Sequence, residues 1–274
     1  MAPRVRLDAE LVRRGLARSR SDAKTAIEEG RVLVGGMPAR QAATMVGPDA
    51  AIALAPAETS FVSRGGLKLD GALDALGVAV EGRDWLDVGA STGGFTDCLL
   101  QRGARSVIAL DVGYGQLDWR LRTDPRVTVL ERTNVRTLSS DALPVEPQGI
   151  VADVSFISLT LVLEPVAAVA HADADWVVMV KPQFEAGREA VGKGGVVRDP
   201  AVWRAALEKV ALKGFDLGLG LVGASVSPLV GPAGNHEFFL HLRRGAPQDG
   251  APISLAVNEA AVNEADASRD DGGP

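Results

Sequence analysis

From Ser63 onward the chain alternates helix-like stretches with short apolar runs, and no other feature narrows its fold as much. The spacing predicts a helix over about Arg64 to Leu76. Strands are then predicted at Trp85 to Val88, Val107 to Val112, Val127 to Leu130, Ile150 to Val154, Trp176 to Val180, Leu219 to Val226 and Glu237 to Leu242. Apolar runs separated by helical stretches are the pattern of a parallel sheet with crossover helices. Seven such strands fit one doubly wound α/β domain. No clear helix separates the sixth run from the seventh, so a hairpin with the last strand antiparallel is expected there.

The first predicted strand runs into Asp87-Val88-Gly89-Ala90-Ser91-Thr92-Gly93-Gly94-Phe95, where small residues let the backbone approach a ligand between strand end and helix start. This is not the dinucleotide pattern, because no second glycine follows two residues after Gly89. A carboxylate at Asp87 suits a ligand with a cationic amino acid portion and would repel a pyrophosphate. Asp111, at the end of the second strand, stands where an acid commonly binds a ribose hydroxyl pair. The competing readings are a tight turn for the loop and a helix cap for Asp111.

Ligands of open α/β sheets bind at the carboxyl edge of the strands, so topology collects further residues there. Asp153 ends the fourth strand and Lys181 the fifth, Glu237 begins the antiparallel last strand, and the helix carrying Lys68 starts near the same edge. Each alone reads as a surface ion-pair partner; convergence from four segments reads as a site.

The front of the chain differs. Residues 1–40 hold eight Arg and one Lys against five acidic residues, although the formal net charge of the whole chain is −6. Two short helices are predicted there, the first with Asp8 as its N-cap and Gly15 as its stop, the second from about Ser19 or Ser21 to Gly30. A strand at Arg31 to Val34, turned by Gly35-Gly36, pairs with Ala51 to Leu54. This arrangement resembles the small RNA-binding domain first described in ribosomal protein S-four, although Gly35 stands where that family usually has Asn. The resemblance makes Arg4, Arg6, Arg13, Arg14, Arg18, Arg20, Lys24 and Arg31 candidate RNA-phosphate ligands; the alternative is a solvated basic face. Residues 1–60 are thus expected to form a small α+β RNA-binding domain with linker, and 61–244 the α/β domain. Residues 245–274, with six acidic residues and one Arg, are expected to be a disordered tail.

Several motifs together are similar to the TlyA family: Ser63-Arg64-Gly65-Gly66-Leu67-Lys68-Leu69, Asp87 to Asp97, Ala152-Asp153-Val154-Ser155-Phe156, Val180-Lys181-Pro182-Gln183-Phe184-Glu185 and Gly234-Asn235-His236-Glu237. The resemblance covers about residues 3–243. It implies a Rossmann-like seven-stranded methyltransferase sheet similar to FtsJ, and S-adenosyl-L-methionine as cofactor. That cofactor would be held by Asp87, Gly89, Ser91, Thr92, Gly93, Gly94, Phe95, Asp111 and Asp153. A catalytic tetrad would fall on Lys68, Asp153, Lys181 and Glu237. The implied reaction is 2′-O-methylation of cytidine in ribosomal RNA, in the large subunit or in both subunits, with ribosomal subunits as partner.

Such a reaction needs a base for the ribose hydroxyl, and two assignments are open. Lys181 is itself the base, or it stays charged and stabilises the developing alkoxide while a carboxylate accepts the proton. Phe156 and Phe184 follow candidate residues and are read either as stacking partners for a splayed-out base or as packing. His236 adjoins Glu237, whereas His171 reads as a loop residue and His241 as a strand residue. Three scattered histidines and the single cysteine, Cys98, offer no metal-binding spacing, and Cys98 is expected to be buried. No apolar run approaches a membrane span and no secretory signal is evident, so a cytoplasmic location is expected. The competing functions are a non-catalytic RNA-binding assembly factor, disfavoured by the intact site residues, and a membrane-lytic haemolysin, disfavoured by the missing apolar span. A small-molecule O-methyltransferase would not need the basic front domain.

Overall fold

The computed structural model describes residues 4–17, 19–28, 30–55, 61–192 and 194–270. The chain divides into two compact units, residues 1–60 and 61–274.

In the first unit, β1 (Val5–Arg6) leads into α1 (Leu7–Arg13), followed by α2 (Arg20–Glu28), β2 (Val32–Val34), β3 (Met37–Pro38), β4 (Met45–Val46) and β5 (Ile52–Leu54). Leu7 and Leu11 lie one turn apart on α1, and Ala23, Ala26 and Ile27 line one face of α2. These five residues close on Val32 and Val46 to form a small core. β2 pairs antiparallel with both β3 and β5, and β1 pairs with β4. The expected cap is corrected: Arg6 holds the N-cap position of α1. Asp8 sits inside the first turn, where its carboxylate accepts from the Ala9 amide and from Arg6 and Arg20. Strong charged donors outcompete the capping geometry. Ser19 serves the second helix as expected, its Oγ accepting from the Asp22 amide at 3.1 Å.

The second unit begins with α3 (Arg64–Leu76), β6 (Asp84–Val88), α4 (Gly94–Gln101), β7 (Ser106–Leu110), α5 (Trp119–Arg122), β8 (Val127–Leu130) and β9 (Gly149–Ala152). It continues with α6 (Thr160–Ala167), β10 (Asp175–Val180), α7 (Pro182–Glu185), α8 (Pro200–Asp216), β11 (Leu219–Val226), β12 (Phe238–Arg244) and α9 (Ala251–Asp270). The seven strands β6 to β12 form one sheet in the order β11-β12-β10-β9-β6-β7-β8. Its central pairs are parallel, and β12 is antiparallel to both neighbours, as the missing sixth crossover implied. Alternation along each strand feeds two cores. Leu86, Ile108, Ile150, Trp176 and Val178 face α6, α8 and α9, while Trp85, Val107, Val151 and Val177 face α3 and α4. Burial on both faces is why the strands read as continuous apolar runs.

The expectation of a disordered tail is overturned. Residues 251–270 form α9, in which Ile253, Ala256, Val257 and Ala260 are at most 2% exposed against the larger core. Their spacing is one helical stripe, and the helix satisfies its own backbone polar groups, so even this acidic, alanine-rich segment finds a face to bury.

Candidate active site

β7 and β9 each end two residues earlier than the apolar runs, and β12 starts one residue later. Asp111, Asp153 and Lys181 therefore fall just beyond strand ends, and Glu237 just before a strand start, all at the carboxyl edge. Val180 faces Phe238 across the β10–β12 ladder, so Lys181 and Glu237 extend from neighbouring strand ends. Asp153 extends from β9 on the other side of β10, about 4.8 Å away. Two ion pairs result. Lys181 Nζ contacts Asp153 Oδ1 and donates to Ser155 Oγ at 3.1 Å. Lys68 Nζ donates to Glu237 Oε2 at 2.5 Å with both residues buried. The other Glu237 oxygen abuts Gly231, where a Cβ would lie 2.7 Å from it.

Beside these pairs runs the glycine loop. Gly89 has φ +88°, and a Cβ there would lie 2.4 Å from the Asp153 carbonyl oxygen, so only glycine lets the loop pass this close. Ser91 is held at φ +48°, and its amide donates to Asp111 Oδ2 at 2.8 Å, while the Gly113 amide donates to Asp111 Oδ1 at 2.6 Å. Asp111 is thereby tied to the loop, with lone pairs left on each oxygen. Asp87 is fully buried; Thr96 Oγ1 donates to its Oδ2 at 2.6 Å, and its Oδ1 has no hydrogen-bond partner. Burial, with the negative charges of Asp153 and Asp111 nearby, pushes its carboxyl up to about 7 despite the Thr96 bonds. A buried acceptor without a donor, under a loop shaped for close backbone approach, fits a cationic ligand.

Two of the expected cofactor residues also pack against other elements. Phe95 points into the core, its ring 6.1 Å from that of Phe239, because it lies on the inner face of α4. Gly94 lets α4 start against α3: a Cβ there would lie 2.2 Å from Ser63 Oγ.

Residues 61–244 match the FtsJ-like methyltransferase family and residues 5–52 the S4 domain. The chain is 54% identical over 266 residues to the 16S/23S rRNA (cytidine-2′-O)-methyltransferase TlyA of Mycobacterium tuberculosis, covering 97% of this chain and 98% of that one. This chain belongs to the TlyA family. It is also 40% identical over 238 residues to Hemolysin A of Brachyspira hyodysenteriae, covering 86% of this chain and 99% of that one. A solved structure of a candidate hemolysin from Streptococcus thermophilus superposes with a TM-score of 0.77 at 37% identity, covering 98% of this chain and 100% of that one. Among the described residues of this TlyA-family chain, no helix is long and apolar enough to cross a membrane.

The TlyA-family motifs contain supporting residues that their charges did not advertise. Glu185 is buried and accepts from Ser158 Oγ at 2.5 Å and from the Leu159 amide at 2.7 Å, clasping the loop that carries Ser155 and Phe156. Phe156 is 92% exposed at φ +67°, with its ring 5.2 Å from that of Phe184. The basic residues of the first unit divide. Glu10, only 1% exposed, accepts from Arg13 and from Arg14, and these bonds, Arg13 first, hold its carboxyl down at about 2. Arg14 also donates to the carbonyls of Ala50 and Pro48 at 2.8 Å each, which makes it a brace within the unit. Arg13, Arg20 and Lys24 keep more than half of their side chains in solvent, and Arg6 keeps 47% of its own. Arg4 is exposed, Arg31 is half-buried, and Arg18 lies outside the described residues.

Proposed function

We propose that this protein transfers a methyl group from S-adenosyl-L-methionine to the 2′-hydroxyl of a cytidine in ribosomal RNA. The observation that carries this reading is the close approach of the glycine loop to Asp153, which puts the Lys181–Asp153 pair beside the cofactor cradle. When bound, S-adenosyl-L-methionine supplies an electrophilic methyl group on a sulfonium cation. Asp87 Oδ1 is the acceptor for its ammonium group or for a water bound to it, and Asp111 accepts from its ribose hydroxyls.

Lys181 is already ion-paired with Asp153 and donates to Ser155, so it meets the ribose as a charged donor. In this reading it stays charged and holds the 2′-oxygen as negative charge develops. Asp153 would accept the hydroxyl proton as the 2′-oxygen takes the methyl group that S-adenosyl-L-methionine would supply. Lys68 and Glu237 neutralise each other within the buried edge and brace the neighbouring strand end. Phe156, exposed and backed by Phe184, offers a face on which the splayed-out cytosine stacks. Its positive φ is a strain of about 1–3 kcal/mol of the kind that gathers at ligand-binding positions. Arg6, Arg13, Arg20 and Lys24 anchor the RNA backbone from the first unit.

The test is incubation of the purified protein with labelled S-adenosyl-L-methionine and each ribosomal subunit, followed by mapping of the modified nucleotide. A 2′-O-methylcytidine in one or both subunits is expected. Methyl transfer to neither subunit would overturn the reading. Lys181→Arg separates the roles of Lys181: arginine cannot act as a base, so appreciable activity is expected if charge is what matters.

A further inference from the structure

The segment beyond residue 244 lies outside the matched methyltransferase region, yet α9 reaches back to the site. Glu264 Oε2 stands 3.0 Å from His236 Nε2, and Glu264 Oε1 stands 3.4 Å from Arg198 Nε. His236 is 7% exposed, and its ring lies 4.9 Å from that of the fully buried Trp203. It faces Trp203 and Glu264 and immediately precedes Glu237, the partner of Lys68. The preceding residue, Asn235, is clamped as well: its Oδ1 accepts from the Val197 amide at 2.9 Å, and its Nδ2 donates to the Gly195 carbonyl at 2.9 Å.

We infer that α9 is a positioning element of the active site, acting through Glu264 on His236 to hold the strand end from which Glu237 meets Lys68. The geometry gives a reason. The loop before Glu237 is tied further back by Arg64, which donates to the Val230 carbonyl at 3.0 Å, and by Asn235; His236 is the last tethered residue ahead of Glu237, so the backbone there sets where the Glu237 carboxylate lies. A ring held on one face by Trp203 and at its tip by Glu264 cannot swing with the loop. Small displacements of a supporting group cost large factors in rate when the chemistry depends on alignment. This inference rests on the proposed role of the Lys68–Glu237 pair.

The experiment measures steady-state methylation of ribosomal subunits by the full-length chain, with thermal melting of each variant. Glu264→Ala is expected to lower kcat about tenfold while the KM values for cofactor and RNA stay within about twofold. Glu264→Gln keeps an acceptor for the His236 ring N–H and is expected to restore the rate. His236→Phe keeps the ring against Trp203 and removes the bond, so it provides the same test if Glu264→Ala fails to fold. The two changes combined are expected to cost no more than either alone, because they break one contact. Ser254→Ala removes the 2.7 Å bond from Arg204 to the same helix and is expected to lower the melting temperature while leaving kcat unchanged. Normal kcat in folded Glu264→Ala and His236→Phe overturns the inference, as does a loss in Ser254→Ala equal to theirs. Glu237→Gln separates the two levels: if it retains full activity, the reading of the pair itself fails. If it is inactive while Glu264→Ala is normal, only the role of α9 fails.

Discussion

Asp84 and Asp87 lie three residues apart on one strand, β6, and their surroundings set the two edges of the sheet in contrast. At the amino edge, Asp84 accepts from Nε and Nη2 of Arg105 and from Ser106, and the Arg105 bonds hold its carboxyl below the usual range. Nearby, Asp175 accepts from His241 at 2.8 Å and from Arg83 at 2.7 Å. Burial opposes its ionisation, yet these two partners outweigh burial and bring its carboxyl to about 2. At the carboxyl edge, Asp87 has one hydroxyl donor and an oxygen with none, and it lies near 7. Charge that is fully compensated holds a fold; charge left short of a partner holds a place for a ligand.

The sharpest way to break this comparison is to remove a charge from each edge and ask which property fails. Lys181→Ala, at the carboxyl edge, is expected to lower the single-turnover rate about 10³-fold with cofactor affinity and melting temperature nearly unchanged. A near-normal rate, or a loss that tracks unfolding, would remove the distinction between the edges. Asp175→Ala, at the amino edge, is expected to do the reverse. It leaves Arg83 and His241 without their acceptor and costs about 3 kcal/mol in denaturant unfolding, while activity per folded molecule persists.

Acid sharpens the same contrast because the two carboxylates titrate in opposite senses. Asp175 is depressed, so its contribution to stability is present above its unfolded value near pH 4 and is lost as pH falls through about 2. Asp87 is raised, so its contribution is complete below pH 4 and is lost as pH rises through about 7. Asp87→Asn should therefore match the wild type near pH 4 and exceed its unfolding free energy by on the order of 2 kcal/mol at pH 8. The variant should bind cofactor more weakly. Parallel stability curves from pH 4 to 8 would show that Asp87 ionises freely in the folded protein.

The smallest effects are expected in the first unit, where the same division separates neighbouring arginines. Arg20→Ala is expected to flatten the salt dependence of RNA binding by about 0.7 to 0.9 log units if one phosphate contact is lost. Arg14→Ala, whose donors face Glu10, Ala50 and Pro48, is expected to leave that slope unchanged and to lower stability by about 1 kcal/mol. Equal slopes for the two variants would erase the difference between brace and anchor.

What the order of residues determined by itself was everything that follows from local periodicity and chain direction. A strand buried on both faces must be an apolar run, and a helix with one buried face must repeat at 3.6 residues. The α3 bounds, the strand list and the reversed last strand were therefore readable, and with them the convergence of Asp153, Lys181 and Glu237 at one edge. The stripe Ile253, Ala256, Val257 and Ala260 was equally present, but composition pointed to disorder; whether so weak a stripe folds depends on the surface of β11 and α8 that receives it. Only the tertiary structure decided which charge meets which. It paired Lys68 with Glu237 and Lys181 with Asp153, turned Phe95 inward and Phe156 outward, gave Asp8 to two arginines and carried Glu264 to His236. Those choices rest on distances of a few ångströms between segments up to 169 residues apart, and local sequence carries no record of such distances.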